Sequence, residues 1–246
     1  MTWADGPLLA FDLETTGADP ESARIVQAAL CYIVPGKKVI ERVLLADPGV
    51  EIPADATAVH GISTEQARAK GKPLYEVVEE IASTIRISWR EGHPLIAYNA
   101  VYDLTVLDRE IARIGGLPLA VGPVVDPFVI DKKHDRYRKG SRKLIDTCAH
   151  YGIALSEEDA HGAAADAMAA ARLAWKLSRA YPVVGDLSLQ ELHTLQIAWA
   201  KSQASGLATY FERQGNADAA ADCRRRMWPL TPAYVPSDEG SEGVLF

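Results

Sequence analysis

An α/β fold, with one mixed sheet of five strands flanked by helices and a helical extension behind it, is predicted by three features of the sequence. Three strand-like apolar runs open the chain, strands then alternate with helices, and the strand pattern stops near Pro182. The 246 residues suffice for one well-buried domain plus an extension. The expected division is a domain over 1–182, helices over 183–228 and a disordered tail over 229–246, where Pro, Ser, Gly and acids dominate.

The strands expected first are PLLAFDLE, RIVQAALCYIV and KVIERVLLA, and Pro35-Gly36 between the last two marks a tight turn of an antiparallel pair. ATAVHGISTEQARAKG reads as a short helix and loop, and Leu74, Val77, Val78, Ile81 and Ile85 recur at helical spacing. PLIAYN is the fourth strand. It leads into a helix with Leu104, Leu107, Ile111 and Ile114 on one stripe, closed by Gly115-Gly116. LAVGPVVD is the fifth strand, and helices around 141–151 and 163–179 complete the domain. Beyond it, Ser188-Leu-Gln-Glu191 fits a capping box for a helix running to about Gln214, with Leu192, Leu195, Trp199, Leu207 and Phe211 as its apolar stripe, and a shorter helix is expected between Asp218 and Trp228.

Composition narrows the function. Apolar residues make up 48% and charged residues 24%, the balance of a globular protein. No apolar run is long enough to cross a bilayer and the first residues lack a secretory pattern, so no membrane role and a cytoplasmic location are expected. Cys31, Cys148 and Cys223 are too few and too scattered for a disulfide framework or a zinc site, and are read as buried thiols. A net charge of −7 argues against gripping long duplexes by phosphate neutralisation. Yet Lys132 to Lys143 holds seven Lys or Arg against one Asp, either a solvated loop or a seat for upstream phosphates.

The residues that carry chemistry are acids. In FDLETTG, Asp12 and Glu14 alternate with Phe11 and Leu13, so on a strand the two carboxylates share a face and repel. Asp103, in AYNAVYDLTVL, lies in the first turn of a helix leaving a strand end, where sites in sheet proteins gather. His161 and Asp166, in HGAAAD, would lie roughly 140° apart on one helix. They meet only if His161 is on the loop and Asp166 in the first turn, a bend that Gly162 permits. Eight alanines between 163 and 174 let that helix approach the sheet. Singly, each acid has a plain reading, a solvated strand end or a helix-dipole partner. Together they are hard to explain as surface decoration, and the repulsion between them calls for a cation, unless water screens the pair or one acid keeps its proton.

FDLETTG, YNAVYD and HGAAAD resemble the three motifs of the DEDDh (DnaQ-like) 3′–5′ exonucleases, the family that includes the proofreading epsilon subunit of bacterial DNA polymerase III. AVHGIS resembles the family's His-Gly-Ile loop, KLIDTCAHYGI resembles the helix before its third motif, and the likeness covers about residues 6–180. It implies a ribonuclease H-like sheet, with Asp12, Glu14, Asp103 and Asp166 holding two Mg²⁺ or Mn²⁺ and His161 as general base. Oxygen-only donors suit such hard ions. Two ions roughly 3.5–4 Å apart clamp the attacking and leaving oxygens of an in-line displacement at phosphorus, and a nucleoside 5′-monophosphate is released.

Around the catalytic set, the resemblance places Thr15 and Thr16 at the terminal nucleotide, although turn chemistry explains them equally. His60, Ile62 and Tyr102 are candidates for the base or sugar pocket or for the core, and Asn99 for bracing the second motif. The expected partner is a nucleic acid 3′ end, DNA before RNA, with possible contacts from the C-terminal region to a DNA polymerase or a sliding clamp. For the clamp the only hint is Leu245-Phe246, and Glu242 stands where clamp-binding peptides usually carry glutamine. An RNA-trimming enzyme is the first alternative. A non-catalytic binding module ranks last, because every matched catalytic position is intact.

Overall fold

The computed structural model describes residues 2–155 and 162–233. Strands β1 (Leu8–Thr15), β2 (Ile25–Ile33) and β3 (Ile40–Asp47) form an antiparallel meander, as the sequence pattern predicts. Two short helices follow, α1 (Ala54–His60) and α2 (Thr64–Lys70), where one helix and a loop were expected. Gly61, at φ 74°, ends α1, and the Ser63 hydroxyl caps α2. Then come β4 (Lys72–Pro73), α3 (Leu74–Arg90), β5 (Leu95–Ile96), α4 (Ala100–Arg113), β6 (Val124–Val125) and α5 (Pro127–His134). The remaining helices are α6 (Leu144–His150), α7 (Ala163–Ala180), α8 (Pro182–Gly185), α9 (Leu189–Arg213) and α10 (Ala217–Arg225).

The sheet has six strands, in the order β4-β3-β2-β1-β5-β6, rather than the expected five. The sixth is β4, a two-residue parallel pairing beside the end of β3, too short to carry a period that a sequence pattern could reveal. β5 and β6 run parallel to β1, so the sheet is mixed.

β1 lies inside the sheet and divides its side chains between two layers. Leu9, Phe11 and Leu13 join α3 and α4 in one apolar cluster. Leu8 and Ala10 face the opposite cluster, with Ala163, Ala167, Ala170 and Ala174 of α7. Small side chains there allow α7 to lie close on β1 and β2, and its first turn is thereby brought to the strand end where the even-numbered acids emerge. The pairing register of β1 with β2 shifts between Glu14 and Thr15, an irregularity that turns the chain out of the sheet next to those acids. All three cysteines are buried and unbridged.

The extension closes the β6 edge. Ser188 and Glu191 form the expected capping box at the start of α9. The face of α9 that meets the sheet is polar: His193 Nδ1 accepts from Val124 N–H at 3.1 Å, Gln196 Oε1 accepts from Asp126 N–H at 2.8 Å, and Gln196 Nε2 donates to Val124 O at 2.9 Å. These bonds serve as the neighbouring strand that β6 lacks. Leu195 and Leu207, expected on the buried stripe, are 36% and 41% exposed. Beyond α10, Trp228 Nε1 donates to Asp126 at 2.9 Å, and Arg109 donates to Thr231 O at 2.9 Å. Residues 229–231, the first of the expected tail, are thus laid against the domain, with Thr231 buried. Gln196→Ala, which strands two buried backbone groups, is expected to cost about 1–3 kcal/mol in urea unfolding; an unchanged midpoint would deny the edge role.

Candidate active site

The four acids of the three motif-like segments reach one place. Asp12 and Glu14 leave the same face of β1, and Asp166 meets them from the first turn of α7. One carboxylate oxygen from each of Asp12, Glu14 and Asp166 lies within 4.8 Å of the other two, a spacing that fits a cation. Asp103, in the first turn of α4, is 5% exposed, and its Oδ1 accepts from Leu13 N–H at 3.1 Å. The fourth carboxylate is therefore fixed to the strand backbone midway between the first two.

The electrostatics fit a cation-binding site. Burial pushes the Asp12 carboxyl well above the usual range, and the charges of Asp103, Glu14 and Asp166 push it further. Burial does the same to Asp103, against the lowering effect of its backbone hydrogen bonds. Glu14 is pushed up to about 7, first by burial and then by the charge of Asp166. Each shift measures the cost of gathering negative charge without a cation. Oxygen-only donors, packed this closely, fit a hard divalent ion.

A pH dependence follows for the metal-free protein. Glu14 titrates near 4.5 unfolded and near 7 folded, so its contribution is complete below about pH 4.5 and is lost as pH rises through 7. The loss is on the order of 3 kcal/mol, or about 6–12 °C in melting temperature for a chain of this size. His60, His134 and His193, whose pKa values burial lowers, act in the opposite direction. The measurement is therefore the difference between Glu14→Gln and the parent in chelator. It should be near zero at pH 4.5 and grow in favour of Glu14→Gln to pH 8, and a flat difference would contradict the clustering.

The other sequence-derived positions divide. Thr15 and Tyr102 meet through their hydroxyls, and both donate to Gly17 O. Burial raises the Tyr102 phenol to about 12. Thr16 Oγ1 accepts from Arg24 N–H at 2.9 Å. These three residues build the turn after β1. His60 Nδ1 accepts from Ile62 N–H at 3.1 Å, whereas its buried Nε2 has no partner among the described residues. Ile62 is 5% exposed and packs with Val26, Ile52 and Ala67. His161 lies outside the described residues.

Asn99 braces the second segment through its backbone. It sits at φ 62°, ψ 46°, a left-handed conformation that Asn tolerates, and its N–H donates to Asp126 Oδ1 at 2.9 Å. Asp126 was not singled out in the sequence. It is fully buried and also accepts from Ala100 N–H, Phe128 N–H and Trp228 Nε1, so one carboxylate fixes the start of α4, caps α5 and anchors the extension. Burial raises its pKa to about 6 despite those bonds. A lone Asp before Pro127 signals only a helix cap.

The basic segment is only partly available to a ligand. Arg138 and Arg142 both pair with Asp131, which is fully buried, and Tyr151 donates to the same carboxylate. Those two arginines hold the fold.

The sequence profile of a family described as Exonuclease matches residues 9–174, a span that contains all four acids. The chain belongs to the DnaQ-like 3′–5′ exonuclease family. A DNA polymerase III subunit epsilon-like protein of Rhodobacter capsulatus is 36% identical over 167 residues, covering 66% of this chain and 22% of that protein. A PolC-type DNA polymerase III of Streptococcus suis is 30% identical over 172 residues, covering 69% of this chain and 11% of that one. The exonuclease therefore spans about a fifth or less of the length of these relatives. E. coli exonuclease I in complex with a dT13 oligonucleotide shares the fold, with a TM-score of 0.60 and 22% identity over 73% of this chain and 43% of that chain. Among the described residues no helix is long and apolar enough to cross a membrane.

Proposed function

We propose that this exonuclease removes nucleotides one at a time from single-stranded or frayed 3′ ends of DNA, releasing nucleoside 5′-monophosphates. The observation that carries the reading is the convergence of Asp12, Glu14 and Asp166 around one point with Asp103 fixed beside them. Two divalent ions, Mg²⁺ or Mn²⁺, would be held by these carboxylates and would supply the positive charge that activates water and stabilises the phosphoryl transition state.

The chain's own residues would do the rest. Asp103, held by Leu13 N–H, keeps its carboxylate from turning away when the site fills. His161, with an intrinsic pKa near working pH, takes the proton of the attacking water. The turn built by Thr15, Thr16 and Tyr102 seats the terminal nucleotide, with the Tyr102 ring held still by its hydroxyl bonds for the base to stack on. His60 borders the sugar, while Ile62 belongs to the apolar cluster with Val26, Ile52 and Ala67. Rigid placement matters because catalysis here is mostly positioning.

DNA is favoured because the relatives named above are a DNA polymerase III subunit epsilon-like protein and a PolC-type DNA polymerase III. Their names also support association with a polymerase, and a sliding-clamp contact would use the 237–246 tail, which lies outside the described residues. Titrating a fluorescent tail peptide with the host's clamp tests that contact, and no binding at high micromolar concentration removes it.

The reaction is tested by digesting matched 3′-labelled and 5′-labelled single-stranded DNA, mismatched duplex and RNA, with Mg²⁺, with Mn²⁺ and with chelator. The 3′ label should appear at once as mononucleotide, the 5′ label should descend a ladder, and chelator should stop both. Faster loss of RNA would make the enzyme an exoribonuclease. Internal cuts, or no cutting, would overturn the proposal.

A further inference from the structure

We propose that α5 and the C-terminal extension form a furrow that binds the upstream part of a single nucleic acid strand whose 3′ end lies in the active site. The inference rests on the exonuclease reading and extends it, because half of the furrow comes from residues beyond the family match.

Two cavities of about 520 and 430 Å³ adjoin between α5, α9 and α10, sharing Lys132, Gln203 and Leu207 in their walls. Asn99, in the wall of the first, caps α4 one helical turn before Asp103, so this end of the furrow adjoins the helix that carries one of the acids. Along α9 it extends from Ile197 to Tyr210, a rise of about 20 Å. That length equals roughly six phosphates at duplex spacing, and fewer in a stretched strand.

Its chemistry alternates aromatic surface with positive charge. Lys132 Nζ stands 4.7 Å from the Phe128 ring centre and Lys133 Nζ 5.8 Å from that of Trp199. Tyr210, which also lines the second cavity, is exposed. Lys132, Lys133, Arg136 and Lys201 form no ion pair among the described residues. Arg142, Arg224 and Arg226, which also border the cavities, are engaged by Asp131, Glu212 and Asp222. Among the described residues lining the furrow, the only carboxylate is Asp126, which is buried and hydrogen-bonded. In a protein of net charge −7, unpaired cations beside the half-buried Phe128 and Trp199 and near the exposed Tyr210 suit a ligand with repeated phosphates and planar bases.

The test compares the full-length protein with the triple variant Lys133→Glu, Arg136→Glu, Lys201→Glu, all at exposed positions. Anisotropy of 5′-fluorescein-labelled dT12 and dT3 is read in chelator across a salt series, and hydrolysis of the p-nitrophenyl ester of thymidine 5′-monophosphate is read with Mn²⁺. The variant should bind dT12 at least about 10-fold more weakly, with a log–log salt slope shallower by about 2 for three lost phosphate contacts. Its affinity for dT3 and its ester hydrolysis should change less than about 2-fold. Unchanged dT12 affinity, or equal losses for dT12 and dT3, would overturn the furrow. If the parent hydrolyses neither ester nor DNA while the variant still loses dT12 affinity, the nuclease reading fails and the furrow stands.

Discussion

Asp12→Ala is expected to lose divalent-metal binding and at least about 10³-fold in turnover, while the metal-free protein becomes more heat-stable. The carboxyl of Asp12 feels the charges of Asp103, Glu14 and Asp166 together, which places it at the centre of the cluster. Removing it removes a ligand and loosens the repulsion at one stroke. Bound metal contributes several kcal/mol of transition-state stabilisation, and about 4 kcal/mol corresponds to 10³ in rate. The melting temperature in chelator should rise, because a buried acid with a raised pKa destabilises the fold when it ionises. Calorimetry should show little Mn²⁺ uptake. Normal uptake, or a melting temperature that falls, would mean that Asp12 supports the strand rather than a metal.

His161→Ala should behave in the opposite way at the metal. Mn²⁺ binding and folding should be retained while turnover falls roughly 10²–10⁴-fold, the usual contribution of a positioned general base. The pH–rate profile should also lose the limb set by the imidazole, since no other group then titrates in the role. An unchanged rate would remove His161 from the mechanism. The contrast between the two variants separates holding the metal from moving the proton.

Much of this acidic cluster was legible because a strand has a fixed period. Phe11 and Leu13 had to share one face, so Asp12 and Glu14 had to share the other, whatever packed around them. The alanines of α7 were legible for a related reason: side chains that small on one helix signal close approach to a neighbour, and α7 does lie on β1. What was not legible depends on partners distant in the chain. β4 has two residues and no pattern. α5 was hidden in a charged stretch, because the fully buried Asp131 that gathers Arg138 and Arg142 looks in sequence like one more surface acid. The polar face of α9 misled the apolar-stripe reading, since Gln196 and His193 are buried to bond the β6 edge rather than to fill a core. Asp126 was passed over because its hydrogen bonds to Asn99, Ala100, Gln196 and Trp228 join segments that only the fold brings together.

The most direct measurement is an anomalous difference map at the manganese absorption edge from a crystal soaked in Mn²⁺. Density should appear within coordinating distance of Asp12, Glu14 and Asp166 together, on the side of β1 that faces α7, and Asp166→Asn should weaken it. A map with no peak at that place, or with Mn²⁺ bound only elsewhere on the molecule, would contradict a cation-dependent nuclease centre.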